Sequence, residues 1–437
     1  MTDTTSLGTA SQATADLMQR RDRALGAGAP LFYEHPLHIV RGEGVHLWDA
    51  DGRRYVDMYN NVPCVGHANP RVVEAMARQQ ATLNVHSRYL HEAVVEFAER
   101  LAALHGPQIE SVILSCSGTE ANEVALRMAR FATGRRGIVC TNGTYHGNSE
   151  LVGSLSRIGR QAQESATVHA FPFPEKYRPI APGLSEAALC DAYLARLADA
   201  IDRFKADGED IAALIVCSIF ANEGLPDVPA GFMPRAVQMV HDAGGLVIAD
   251  EVQAGYARTG QWWGYEVMGF TPDIVVTGKP MGAGLPLAAT AASRSLVETF
   301  RSATRYFNTF ASSPLQAAVG MAVLDEIESR DLRGNVAAVG ASLKASLTQR
   351  KGASVTIGDV RGHGLFVGVE LVKPADGSPD MALAKRVINR LKDKGFLTSN
   401  AGAFANVVKL RPPLVFSHDN AAQFLDAWDE TIAEVAA

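Results

Sequence analysis

Three short stretches combine residue types and spacings that could do chemistry. In the first, Ser117-Gly118-Thr119-Glu120-Ala121-Asn122 follows an apolar run ending at Ser115 and opens a helical pattern through Val124, Ala125, Leu126, Met128 and Ala129. A Gly-Thr turn at a helix start presents unused backbone N–H groups and the positive end of the helix dipole, which suits a phosphate. In the second, Asp250 closes the apolar run Leu246 to Ala249, so a carboxylate sits where a strand ends. Burial there would demand a cationic partner. In the third, Lys279 follows Ile274-Val275-Val276-Thr277-Gly278, in a turn that continues Pro280-Met281-Gly282-Ala283-Gly284. A lysine held in such a turn can be desolvated enough to attack carbonyls. Pro280 stands where a Walker loop needs Ser or Thr, so no nucleotide loop is formed.

Taken singly, each stretch has an ordinary explanation: an N-cap from Ser117 or Thr119, a strand-end aspartate capping the next turn, and a surface lysine. Taken together, a phosphate nest, a strand-end Asp and a strand-end Lys are the parts a pyridoxal phosphate enzyme requires. The Asp pairs with the protonated ring nitrogen, the Lys forms the Schiff base and the nest holds the phosphate.

Positioning such groups calls for a particular scaffold. Val112-Ile113-Leu114, Ile138-Val139-Cys140, Ala213 to Val216, Leu246 to Ala249 and Ile274-Val275-Val276 are short Val- and Ile-rich runs separated by helix-length stretches. Strands buried on both faces of a parallel sheet have this appearance, and their ligands bind at the carboxyl ends. The sequence predicts an α/β fold with a mostly parallel, doubly wound sheet over residues 66–313. A β-meander follows from Asp51-Gly52 and its flanking alternation. With residues 314–437, read as helices and short strands, the N-terminal segment 1–65 is expected to build a smaller α+β domain from both chain ends.

Composition narrows the function classes. The 437 residues are 47% hydrophobic and carry a net charge of −6, enough chain to bury a large core without disulfide or metal staples. Mild acidity argues against nucleic-acid or anionic-membrane partners, which select basic surfaces. Cys64, Cys116, Cys140, Cys190 and Cys217 are odd in number and widely spread, so neither a disulfide framework nor a metal site is expected. That cysteine usage, a polar N-terminal stretch without a signal-peptide core, and the absence of a membrane-length apolar run predict a cytoplasmic protein.

The chain also resembles the class III (subgroup II) aminotransferases of pyridoxal phosphate fold type I over nearly its whole length. The matching stretches are Ser117 to Arg130, Thr144 to Gly147, Ala249 to Gly260, Val275 to Pro286, Asn308 to Phe310 and Arg411 to Leu414. Asn60 to Ala75 and Ser87 to Glu92 resemble the branch containing alanine–glyoxylate aminotransferase-like proteins and amino-alcohol phospho-lyases. The resemblance implies that Lys279 is the Schiff-base lysine and moves the proton once released, with Asp250 keeping the ring nitrogen protonated. It further implies that Gln253 bonds the ring hydroxyl, Tyr145 and Val252 cover the ring faces, and Ser117, Gly118 and Thr119 bind the phosphate. Thr309 would arrive from a second subunit of a homodimer.

His146 is expected to support this site structurally. His67 and Arg258 are expected to hold turns, Glu251 to pair locally and Trp262-Trp263 to pack the wall. Arg411 matches the position that often clamps a substrate α-carboxylate, a role suited to guanidinium geometry; Asn61 and Tyr89 are the other substrate contacts expected. Many dual-substrate members carry a Glu-Pro that masks the arginine. Here Cys217-Ser218 stand in those places and the nearest acid is Glu223. The expected reaction is amino transfer from an amino acid or amine to a small α-keto acid, pyruvate or glyoxylate in type. The alternative is a phospho-lyase acting on a phosphorylated amino alcohol or amino acid, or a related aminomutase or decarboxylase.

Overall fold

The computed structural model describes residues 12–156 and 165–435. Part of the polar N-terminal stretch falls outside them; Gln12–Leu25 is a helix. Three strands follow, β1 (Ile39–Glu43), β2 (His46–Asp49) and β3 (Arg54–Asp57), antiparallel in sequence order.

The large sheet contains β4 (Ser111–Ser115), β5 (Gly137–Thr141), β6 (Val168–Phe171), β7 (Ile211–Cys217), β8 (Leu246–Asp250), β9 (Ile274–Thr277) and β10 (Ala288–Ala292). Their spatial order is β4-β10-β9-β8-β7-β5-β6. Only β10 runs against its neighbours. Alternation along each strand sorts side chains onto two faces. Val139, Leu214, Val216, Val247, Ala249 and Val275 enter one core; Ile138, Ala213, Ile215, Ile248, Ile274 and Val276 enter a second. The helix Gly118–Thr133 covers the second face with Ala121, Val124, Ala125, Leu126, Met128 and Ala129.

Two strands of this sheet carry weak sequence signals. β10 is Ala-Ala-Thr-Ala-Ala, a composition poor in strand-forming side chains. It is held by pairing on both sides, to β4 and to β9. β6 is only four residues long and interrupted by His169.

The C-terminal part supplies β11 (Ile357–His363), β12 (Phe366–Leu371), β13 (Phe396–Leu397), β14 (Ser399–Ala401) and β15 (Val407–Leu410). β13 runs parallel to β3 and places Phe396 opposite Val56, so the two ends of the chain share one sheet. The others form a sheet in the order β11-β12-β15-β14. β15 leads directly into Arg411, whose backbone N–H donates to Met58 O at 2.7 Å. That bond brings the C-terminal sheet against the loop after β3.

Candidate active site

Because β4, β5, β7, β8 and β9 are codirectional, their carboxyl ends meet at one sheet edge. The chain winds outward from β5 to β6 and inward from β7 to β9, so the order reverses between β5 and β7. Crevices of doubly wound sheets open at such a reversal. A cavity of about 330 Å³ lies there. Its wall is formed by Ser117, Gly118 and Thr119 after β4, Tyr145 and His146 after β5, Cys217 and Asn222 after β7, Asp250, Val252 and Gln253 at β8, and Lys279 after β9.

At the β4 end, Ser117 is extended and caps the helix, its Oγ accepting from Glu120 N at 3.2 Å. Among the described residues no protein acceptor takes the N–H groups of Gly118 or Thr119. The Thr119 hydroxyl donates to Asn148 Oδ1 at 3.2 Å. A Cβ at Gly118 would meet both methyls of Val252 at 3.1 Å, so glycine is what lets the turn approach the β8 loop.

Asp250 is 5% exposed and fixed by three donors. Its Oδ2 accepts from His146 Nδ1 at 2.6 Å and Asn122 Nδ2 at 3.0 Å, and its Oδ1 from Val252 N at 3.0 Å. A carboxylate oxygen only accepts, so His146 carries hydrogen on Nδ1, and its Nε2 is hydrogen-bonded with the Thr144 hydroxyl at 2.7 Å. His146 is therefore a buried support for Asp250. Asn122, at the second turn of the Gly118 helix, belongs to the Ser117 stretch, but no local signal in the sequence marks it as a partner of Asp250.

Lys279 stands open to the cavity, while the protein packed around that wall holds its ammonium below the usual lysine range. Burial is the main cause; Asp250 opposes it and Arg411 adds to it. The turn beneath is stiff. Met281 N donates to Gly278 O at 2.8 Å, Cys64 Sγ donates to Pro280 O at 3.2 Å, and Ala283 takes a left-handed φ of 46°. A residue in that region is kept there by its surroundings.

Gln253 spans two neighbours. Its Nε2 donates to Asn222 Oδ1 at 2.9 Å, and its Oε1 accepts from Arg411 Nη1 at 2.5 Å. Asn222 in turn donates to Tyr145 O at 3.1 Å. Arg411 is 4% exposed; its Nε donates to Tyr59 O at 3.0 Å and its guanidinium lies over the rings of Tyr59 and Phe366. Burial lowers its pKa. Glu223 offers it no mask: that carboxyl is buried beside β5, accepts from the Thr141 hydroxyl and is pushed up by burial.

None of the substrate candidates Arg411, Asn61 and Tyr89 lines the cavity wall, which Arg411 reaches through Gln253. Asn61 is 2% exposed and spends its amide on the loops, donating to Val252 O at 3.3 Å and accepting from Arg258 Nε at 3.2 Å. Tyr89 is 64% exposed, beside His86. Thr309 is exposed in a surface depression with Glu120, Glu123 and Phe310. His67 holds Asp57 at 2.8 Å, and Arg258 reaches the carbonyls of Leu365 and Pro412. Glu251 accepts from Ser218, Gly264 N and Tyr265 N, and burial raises its carboxyl to about 7. Trp263 is buried and stacks on His105 at 4.1 Å.

Comparison with known proteins bears on this geometry. The family described as "Aminotransferase class-III" matches residues 31–432. A Drosophila melanogaster protein named "Alanine--glyoxylate aminotransferase 2-like" is 35% identical, covering 96% of this chain and 87% of that protein. A Caenorhabditis elegans protein named "Ethanolamine-phosphate phospho-lyase homolog 1" is 30% identical, covering 95% and 93%. The solved structure of a phospholyase from Arthrobacter in complex with phosphoethanolamine superposes with a TM-score of 0.93 at 38% identity, covering 96% and 99%.

Proposed function

The chain belongs to the class III aminotransferases, pyridoxal phosphate enzymes of fold type I, and on that premise we propose that it passes an amino group from an amino-acid donor to a small α-keto acid of the pyruvate or glyoxylate type. The observation that carries the substrate class is Arg411. Its guanidinium is buried beside the Lys279 cavity, and among the described residues no carboxylate lies within salt-bridge distance of it. A buried guanidinium without an anion favours a substrate that brings one.

The residues suit the cofactor. Unused N–H groups at Gly118 and Thr119, with Ser117 beside them, would take its phosphate. Asp250, held by His146 and Asn122, would keep a proton on the ring nitrogen, and Tyr145 and Val252 would cover the ring. Gln253 would meet the ring hydroxyl. When bound, pyridoxal phosphate supplies the electron sink that makes the substrate Cα–H acidic. Lys279 Nζ would hold the cofactor covalently and, once released, carry the proton to and from the substrate carbon; burial helps it by favouring the neutral amine.

The family reads as a homodimer sharing its sites, with Thr309 contributed across the interface, and we place the enzyme in the cytoplasm. Among the described residues no helix is long and apolar enough to cross a membrane, and none of the five cysteines is in a disulfide. The domain limits we propose are 1–65, 66–313 and 314–437.

A second reading, a phospho-lyase acting on a phosphorylated amine, is favoured by the likeness to the Arthrobacter phospholyase. Adding amino donors singly to the purified aldehyde form separates the two. Conversion to the pyridoxamine spectrum supports amino transfer; release of ammonia and phosphate from a phosphorylated amine, with the aldehyde spectrum restored, supports lysis. Borohydride reduction and peptide mapping test the site itself, and failure to trap cofactor on Lys279 would sink both readings.

A further inference from the structure

Two residues before Arg411, Lys409 sits on β15 and points to the same face of the strand. It is 7% exposed. Among the described residues it has neither a carboxylate partner nor a hydrogen bond, only the ring of Tyr59 with Nζ 5.2 Å from the centroid. The same ring carries the Arg411 guanidinium at 5.1 Å. The acids nearby are engaged elsewhere: Asp57 with His67, and Glu370 with Arg361 and Arg178. Lys409 therefore shares the Tyr59 ring with a second buried cation, and among the described residues neither makes a salt bridge to a carboxylate.

Burial lowers the Lys409 ammonium to about 7, with Arg411 and then Lys279 adding to the effect. The geometric tie to the reaction cavity runs through Arg411, which shares the Tyr59 ring with Lys409 and donates to Gln253 of the cavity wall. A lysine with only a structural task would snorkel to water or take a carboxylate. Kept here, it raises the positive potential at the point where Arg411 stands.

We infer that Lys409 and Arg411 together form a subsite for a substrate group bearing two negative charges, either a phosphate monoester or a pair of carboxylates. The pairing of two cations over Tyr59 is the observation behind it. Arg411 supplies a planar fork and Lys409 a point charge, a combination that fits a dianion better than a single carboxylate. This rests on the reading of the Lys279 cavity as the reaction site and concerns the amino donor; the keto-acid acceptor, with its single carboxylate, needs Arg411 alone.

The test compares kcat/KM for phosphoethanolamine and for L-glutamate, each divided by that for L-alanine, in the holoenzyme and its variants. Lys409→Gln is expected to lower at least one of these ratios about tenfold or more, and Lys409→Arg to retain most of it. Lys409→Met, which keeps the stem against Tyr59, serves as the second neutral variant. A fall confined to phosphoethanolamine identifies phosphate as the source of the dianion; a fall confined to glutamate identifies the second carboxylate. Unchanged ratios in Lys409→Gln and Lys409→Met, or an equal loss in Lys409→Arg, would overturn the subsite. Sulfate binding to the holoenzyme, followed by calorimetry, supplies a reading independent of turnover and should weaken tenfold in Lys409→Gln. Borohydride trapping on Lys279 in the same preparations distinguishes this failure from failure of the cavity itself.

Discussion

Arg411 donates from Nη1 to Oε1 of Gln253, and the same amide donates from Nε2 to Asn222. A neutral side chain from the β8 loop thus occupies the guanidinium in place of an acid. An amide oxygen yields to a carboxylate more readily than a carboxylate does, because a charged acceptor makes the stronger bond. The arrangement keeps Arg411 satisfied at rest and open to an incoming anion.

Removing the guanidinium should therefore raise KM on both sides of the reaction. For Arg411→Ala we expect increases of roughly tenfold to a hundredfold, the scale of one hydrogen bond to a charged group. Steady-state kinetics with keto acid and amino donor varied in turn will show it. If both KM values hold, Arg411 does not clamp substrate.

Asp250 and His146 act as a pair, 2.6 Å apart. Asp250→Asn should cut kcat by about a hundredfold or more, since an amide no longer favours a protonated ring nitrogen. His146→Gln should cost less, because Asn122 and Val252 N still hold the carboxylate. Single-turnover spectra with one amino donor compare the two variants directly. Equal losses would make His146 more than a support.

His105 makes acid stability measurable. Burial holds its ring at about 3, below its ordinary 6.5. The unfolded chain then binds the extra proton between those limits, so stability is complete above about pH 6.5 and lost as pH falls toward 3. The slope approaches roughly 1.4 kcal/mol per pH unit for one proton. His105→Phe keeps a ring against Trp263 and should flatten that slope in urea titrations between pH 7 and pH 5. An unchanged slope would assign the acid sensitivity to other groups.

Exposed apolar residues bear on assembly. Leu90 is fully exposed at 100% and Phe310 at 74%, near Thr309 and Tyr89 in sequence. The homodimer we propose would cover these side chains. Leu90→Asp should shift sedimentation from dimer to monomer and lower activity in proportion. A wild-type protein that sediments as a monomer would remove the shared site from the proposal.

The sheet scaffold and the three candidate site stretches are legible in the sequence because their signals are local. A buried parallel strand reads as a short apolar run, and the polar residue that ends it marks the carboxyl edge, as at Ser117, Asp250 and Lys279. Signals of that kind fail where local composition is weak, as in the alanine-rich β10, whose pairing with β4 and β9 overrides propensity. The tertiary structure alone decided which side chains answer one another. His146 meets Asp250 across 104 positions and Arg411 meets Gln253 across 158. The same is true of charge: the Lys-Leu-Arg spacing puts Lys409 and Arg411 on one strand face, but only packing of β15 against the loop after β3 leaves both cations buried and without an acid. Pairing and desolvation depend on distance in space, and distance in space is what a chain acquires by folding.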